Sequence, residues 1–380
     1  MQDKLVRFVI GSTGIGGAEK QVAAVLPKLA ERGWKARLVT LSPDDDELAA
    51  AFFKNEINVI KPKSFRFTSG LFGIMCKFIS ILSHLYSEFK NRPGIVTVFM
   101  MSHSILFGMT AYFLAHSKGK RIFSIRNTID RQHSYFLRAY ETFLYKFADC
   151  FVVNSHELAE QLIGTDKIPS SKVRIVNNAF ECNQFSHQIN QLSVRKKLKI
   201  ENKTKALLIL ARLVAFKGHD DLLYALSIAE QKLSKLTSDN WVCLFAGDGP
   251  EKARLEQKTK QLGLGRYVRF LGTCNNVNEL LAICDLFVAP SHSEGMPNTV
   301  IEAMYMGKEV VGTDIMCMRE LTQGLYRLVP IKSPNKLAEA IVEAIKNPNP
   351  AVGVKAKALI EKNFSIDKAV SGWERVIQNL

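Results

Sequence analysis

The sequence predicts an α/β fold of two doubly wound domains in tandem, and three observations carry that prediction. Short β-branched runs alternate with amphipathic helical runs from Lys4 to about residue 180, the pattern lapses over residues 181–204, and a second alternating series begins at ALLILA, Ala206 to Ala211. Such alternation is what parallel sheets covered on both faces by helices require. A chain of 380 residues is also long enough for two domains, each burying its own core.

The elements follow in order. VRFVI reads as a strand, and a helix runs from about Ala18 to Glu31, where Gly33 closes it. Val22, Val25, Leu26 and Leu29 share one face of it, and Pro27 is expected to kink it. The next strand is ARLVTL. Residues 95–115 carry no Asp, Glu, Lys or Arg and are long enough to span a bilayer. A strand (IVTVFM), a loop at Met101–Ser104 and an apolar helix ending before Lys118 account for the same residues, and the strand pattern RIFSI follows at once. CFVVNS and VRIVNNAF complete the first series, so the first domain covers residues 1–180.

Residues 181–204 are polar and basic and mark the junction. The second domain, residues 181–363, continues through WVCLFAGDGP, YVRFLG, DLFVAPSHSEG, EVVGTD and YRLVPI, each but the last with a helix pattern after it. The terminal helix within residues 364–380, IDKAVSGWERVIQNL, comes after that series is complete, and the pattern leaves open which domain it packs on.

Composition narrows the function. Hydrophobic residues make up 47% and charged residues 23%, the balance of a globular protein. The formal net charge is +15, and residues 51–146 hold fourteen Lys and Arg against four Asp and Glu. The excess thus lies mostly in the first half of the chain, which attracts anions: nucleic acid, anionic lipid headgroups or phosphorylated small molecules. No nucleic-acid-binding signature is present, and the cations are scattered among apolar runs such as LFGIMCKFISILSHLY, so no nucleic-acid partner is expected. Seven cysteines without a CxxC pair exclude a disulfide framework or zinc knuckle and suit a reducing compartment. MQDKLVRFVIGS runs straight into a strand and lacks a signal peptide's apolar region, so a cytoplasmic protein is expected.

Three stretches carry candidate chemistry. In SEGMPNTVIEA, Glu294 lies in the loop at a strand's carboxyl end, where doubly wound folds bind ligands. Pro297 is placed in the first helical turn, and the backbone N–H groups from Asn298 and Thr299 onward face a phosphate. Glu302 stands more than a turn further in, able to accept from a pair of sugar hydroxyls. Two acids flanking an anion site fit a nucleotide sugar; the competing reading is an ordinary acidic helix start. In LARLVAFKG, Arg212 after a strand and Lys217 before a helix suit a diphosphate that gains charge as it leaves, or else are solvated surface. GIGGAE, with Gly16 and Gly17, lets backbone approach a ligand closely.

Other motifs are weaker. The glycine run is not a clean dinucleotide fingerprint, and Tyr86–Lys90 has reductase-like spacing but reads as one helix face. Asp44–Asp46 contains the spacing of a metal-binding pair but reads as a solvated helix start, so no metal and no other cofactor is expected.

Together, in this order, these stretches resemble the retaining glycosyltransferases of the GT-B fold, group 1 (family 4). The E-x7-E pair of Glu294 and Glu302 is the most specific element; ARLVAFKG, FAGDGPEKARLE and GIGGAEK are similar to the family's other segments, with Ala211 where the family has glycine. The resemblance implies two Rossmann-like domains facing each other across a cleft, donor on the second, acceptor on the first, and the last helix crossing back to the first. It implies that Arg212 and Lys217 bind the donor diphosphate and that Glu302 binds its ribose. It places Glu294 at the transferred sugar, adds phosphate contacts from Gly295, Met296, Pro297 and Asn298, and puts Gly17 on the opposite wall. It implies a front-face reaction without a separate general base. Arg126 stands where many relatives have histidine, as a donor or acceptor contact or a structural group, and His103 is a cleft or structural residue.

The implied donor is a UDP-hexose or UDP-N-acetylhexosamine and the implied acceptor a polyprenyl- or other lipid-linked saccharide of cell-surface polysaccharide or lipopolysaccharide synthesis. Cations mixed with Phe, Leu and Ile from Lys54 to Lys90 suit peripheral attachment to the anionic cytoplasmic leaflet. The alternatives are a non-catalytic nucleotide-sugar-binding subunit and an NAD-dependent epimerase or reductase.

Overall fold

The computed structural model describes residues 4–13, 17–43, 57–62, 71–126, 135–182, 185, 189–238 and 240–380. The chain divides into two units, one formed by Met1–Phe180 with Phe364–Leu380, the other by Glu181–Asn363.

In the first unit, β1 (Leu5–Ile10), β2 (Lys35–Thr40), β3 (Asn58–Ile60), β4 (Val96–Met100), β5 (Arg121–Ile125), β6 (Cys150–Val153) and β7 (Val173–Ile175) form a parallel sheet in the order β3-β2-β1-β4-β5-β6-β7. Successive side chains of a strand point to opposite faces. Val6, Phe8 and Ile10 therefore pack with Val22, Val25, Leu26 and Leu29 of helix α1 (Gly17–Glu31), while Val9 joins Phe99, Phe123 and Phe151 in a second core. Pro27 is buried within α1, and the helix continues past it to Glu31. Residues 95–115 fold as the strand and apolar helix of the second reading, but the loop expected at Met101–Ser104 is the first turn of that helix, Met101–Leu114, which follows the strand directly; no described helix is long and apolar enough to cross a membrane.

The last helix, Ile366–Gln378, belongs to this unit. Its Ala369, Val370, Trp373 and Val376 enter the same core as Phe8, whose ring Trp373 meets edge-on at 5.4 Å between centroids. Arg32 of the first unit bonds Ser371 and Glu374, and the indole N–H of Trp34 donates to Glu374.

In the second unit, β8 (Lys205–Leu210), β9 (Trp241–Ala246), β10 (Val268–Gly272), β11 (Leu286–Ala289), β12 (Glu309–Thr313) and β13 (Arg327–Val329) are again parallel, in the order β10-β9-β8-β11-β12-β13. The end of this series departs from expectation. A helix, Pro334–Lys346, does follow β13; Pro334 starts it, and Leu337, Ile341 and Ala344 form the stripe that packs on the sheet. The polar junction contributes helix Gln191–Lys197, N-capped by Asn190, whose buried Arg195 donates to the carbonyls of Glu201, Thr204 and Ile283. The seven cysteines are free.

Strand order reverses at the first strand of each unit, with β1 between β2 and β4 and β8 between β9 and β11. In open parallel sheets the carboxyl ends at such a reversal part to leave a crevice for ligands.

Candidate functional site

At the reversal of the second unit, β8 and β11 deliver two loops side by side. The first carries Arg212, which is exposed, and Leu213, which is buried. It is pinned by Leu213 N–H to the Asp248 carbonyl at 2.9 Å and by Glu251 N–H to the Leu213 carbonyl at 3.1 Å. A short 3-10 turn, Ala215–Lys217, follows, and Gly218 has φ of 71°. A Cβ on Gly218 would collide with the Pro290 carbonyl oxygen, so glycine here lets the first loop lie against the second.

The second loop, Pro290 to Met296, holds Glu294. Its carboxylate pairs with the Lys217 ammonium, and Ser291 Oγ donates to the same oxygen, Oε1, at 2.8 Å. Ser291's carbonyl accepts from the Thr313 hydroxyl, His292 N–H donates to the Phe216 carbonyl at 2.8 Å, and His292 Nε2 meets Asp221 Oδ2 at 2.7 Å. Both partners of the Lys217–Glu294 pair retain some exposure. The pocket beside them is lined by Leu210, Ala211, Pro290, Ser291, Glu294 and Thr299 among others.

Helix α10, Asn298–Tyr305 counting the described helices in chain order, then points its start at this pocket. Pro297 occupies its cap, one position earlier than expected, with ψ of 103° and no side-chain cap. A helix start without a side-chain cap directs backbone N–H groups and partial positive charge outward. Glu302 lies further along the same helix and is buried. The pocket is thus bordered by the Glu294 carboxylate, paired with Lys217, and by the start of α10, with Arg212 next in the chain to the lining residue Ala211.

His219, the first residue of helix His219–Thr237, is 2% exposed with both ring nitrogens out of hydrogen-bonding geometry. Burial pushes its pKa down to about 4, with a smaller opposing contribution from the Val214 carbonyl.

The expected residues of the first unit are placed differently. Gly16 lies outside the described residues, and Gly17 is exposed at the start of α1. His103 is exposed in the first turn of helix Met101–Leu114, after Met101 at φ of 69°. Arg126 is 5% exposed: it donates to Asn178 Oδ1 at 2.8 Å and Ser124 Oγ at 3.3 Å, and lies 5.6 Å from the Trp373 ring. Burial lowers its pKa to about 10, and of the readings open to it the structural one fits this geometry. Tyr86 and Lys90 share one helix face, the ammonium 5.4 Å from the ring. Asp44–Asp46 lies outside the described residues, and among those described no three His, Cys, Asp or Glu side chains are grouped to hold a metal.

Ser291, His292, Asp221 and Gly218 were not singled out from the sequence. The SEG signature marks Glu294, but the partners of Ser291 and His292 become evident only once the strand order brings the two loops together.

Comparison with known proteins bears on the family and the fold. Residues 15–184 match the family "Glycosyltransferase Family 4", and residues 190–363 match "Glycosyl transferases group 1". The O-antigen biosynthesis glycosyltransferase WclY of Escherichia coli is 28% identical over 213 residues, 56% of this chain and 57% of that protein. An N-acetylgalactosaminyltransferase of Campylobacter jejuni, named for a diphospho-undecaprenol-linked acceptor, is 26% identical over 314 residues, 80% of this chain and 79% of its own. Apart from that enzyme, the chain spans about half the length of the curated relatives it matches. Among solved structures, Anabaena Alr3699/HepE in complex with UDP-glucose superposes with a TM-score of 0.83 at 19% identity, over 99% of this chain and 100% of that one. The lipopolysaccharide glycosyltransferase WaaG superposes with a TM-score of 0.72 at 15% identity, over 99% of each chain.

Proposed function

The chain belongs to the group 1 (family 4) glycosyltransferases, and from that membership we propose that it moves a sugar, with retention and without a metal, from a UDP-hexose or UDP-N-acetylhexosamine to a lipid-linked saccharide. The observation that carries the reading is the Lys217–Glu294 pair beside the start of α10, at the strand-order reversal of the second unit. The helix start, Arg212 and Lys217 bind the diphosphate, Glu302 takes the ribose hydroxyls, and Glu294 meets the transferred sugar near its reacting carbon. The first unit receives the acceptor.

In this reaction the bond from the sugar's anomeric carbon to the diphosphate oxygen breaks and an acceptor oxygen bonds the same face of that carbon. The acceptor's proton passes to the departing phosphate oxygen. Arg212 and Lys217 stabilise the charge that builds on the leaving group, the kind of preorganised electrostatics that contributes most to many enzymatic rates.

Support for a lipid-linked acceptor comes from the Campylobacter relative's name and from two helices of the first unit that expose apolar side chains: Ile74, Met75, Phe78 and Ile79 on Leu71–Asn91, and Phe136, Leu137, Tyr140 and Phe143 on Tyr135–Tyr145. Such faces mixed with cations suit an anionic bilayer surface, here the cytoplasmic leaflet.

A thermal-shift screen against UDP, GDP, ADP and NAD without added metal tests the donor class, because a ligand of the native state raises its melting temperature. Selective stabilisation by UDP is the expected result; stabilisation by NAD alone would overturn the reading. Glu294→Ala is expected to keep UDP binding while losing transfer, and an unchanged turnover would remove Glu294 from the chemistry.

A further inference from the structure

The loop that carries Glu294 has no regular secondary structure from Ser291 to Glu294, yet its carboxylate meets Lys217 on a different loop. Two backbone features bring the loops together at their near ends: Gly218 against the Pro290 carbonyl, and His292 N–H on the Phe216 carbonyl. One further tie joins side chains. His292 Nε2 lies 2.7 Å from Asp221 Oδ2, and Asp221 sits in the first turn of helix His219–Thr237, which starts directly after Gly218. A carboxylate only accepts, so Nε2 carries the proton. Both side chains are mostly covered, at 23% and 16% exposure, so water competes weakly for the bond. His292 is two residues from Glu294, and Asp221 is four from Lys217.

We propose that Asp221 and His292 are positioning residues for the transfer site. Resting on the transferase reading, the pair fastens the Glu294 loop to a rigid helix, so that Glu294 and Lys217 are already opposed when the sugar nucleotide arrives. Neither residue touches the reacting atoms. Loss of the tie leaves the helix start and Arg212 in place, so it weakens the chemical step more than donor affinity; small misplacement of a reacting group is costly in rate.

The test uses the full-length protein with His292→Leu, His292→Gln and Asp221→Ala. Glutamine places an amide donor near the Nε2 position and restores the bond; leucine cannot. Amide hydrogen exchange over residues 291–296 reads the tie directly, and hydrolysis of UDP-glucose, UDP-galactose and their N-acetylated counterparts, in which water takes the sugar and UDP is released, reads the chemistry. Exchange is expected to quicken in His292→Leu and Asp221→Ala and to stay near wild type in His292→Gln. In the same two variants kcat is expected to fall about tenfold or more while KM for the donor moves by less than about threefold. His292→Gln should retain most of its turnover. Unchanged exchange in His292→Leu, unchanged kcat despite faster exchange, or equal losses in the leucine and glutamine variants would each overturn the proposal. A wild-type protein that turns over none of the donors, with the exchange response intact, would refute the transferase reading and leave the loop tie standing.

Discussion

His219 makes an acid-sensitive residue of a position next to the candidate site. Its folded-state pKa is about 4 against an ordinary 6.5, chiefly through burial, with Lys217 also lowering it and Asp220 and Glu251 opposing. Between those values the unfolded chain binds the proton and the folded chain does not. Stability from this group is therefore complete above pH 6.5 and declines as the pH falls toward 4, by up to about 3 kcal/mol. Urea unfolding at pH 7 and 4.5 should show a smaller acid loss in His219→Leu than in wild type; equal losses would assign the sensitivity elsewhere. Legibility at this scale divides sharply. Glu294, Arg212 and Lys217 can be picked out of the sequence as candidates because they are charged residues at strand ends and helix starts, and Glu302 because it stands eight positions after Glu294. The hydrogen bond from His292 to Asp221 links positions 71 apart, and no local pattern encodes such a pairing. Arg126 stayed open between a ligand contact and a structural role for the same reason: its bonds to Asn178 and Ser124 and its place by the Trp373 ring join positions that no local pattern links.

Helix Leu71–Asn91 is fastened at one end by a buried charge cluster. Glu88 receives Arg37 through both oxygens, each at 3.0 Å, and Arg7 Nε at 3.1 Å; Arg7 also donates to the Arg92 carbonyl at 2.9 Å. Arg7 is fully buried, and that burial lowers its pKa to about 10. Removing one partner from such a cluster leaves buried charge uncompensated and costs about 3–5 kcal/mol. Glu88→Ala should therefore lower the urea midpoint of the first unit strongly, and a loss as small as that of an exposed glutamate would argue against the cluster's role. In the sequence, VRFVI is legible as a strand but the fate of Arg7 is not, since its carboxylate lies 81 residues away. The helix Pro334–Lys346 was missed because KSPNK, a polar turn-like run, hides its start; the stripe of Leu337, Ile341 and Ala344 was there to be read.

At the scale of the molecule, a net charge of +15 and the exposed apolar faces of two first-unit helices are what the proposed attachment to an anionic membrane rests on. Phe136 alone is 83% exposed. Flotation with anionic liposomes should carry the protein at low salt and release it in part at high salt, and a Phe78→Ser, Phe136→Ser double variant should float less with its melting temperature unchanged. No binding at low salt would sink the peripheral reading. The doubly wound character of both units was legible throughout because alternation is a local property, repeated in each β-strand and helix. The place of the last helix was not legible in that alternation, which it follows; the family resemblance implied the first unit, and there it packs. That helix is integral to the first core, where Trp373 packs on Phe8. Deleting residues 365–380 should expose residues 4–180 to limited proteolysis and spare residues 190–363; protection of both would show the helix dispensable. The same helix reverses the usual order of folding during synthesis. The first core is closed by residues that leave the ribosome after the whole second unit, and at about 5–20 residues per second its sheet waits roughly 10–40 s. Through that interval Phe8, Val22 and Leu26 lack the cover that Trp373 and its neighbours later provide, so the nascent first unit keeps apolar surface open while the second completes its own core.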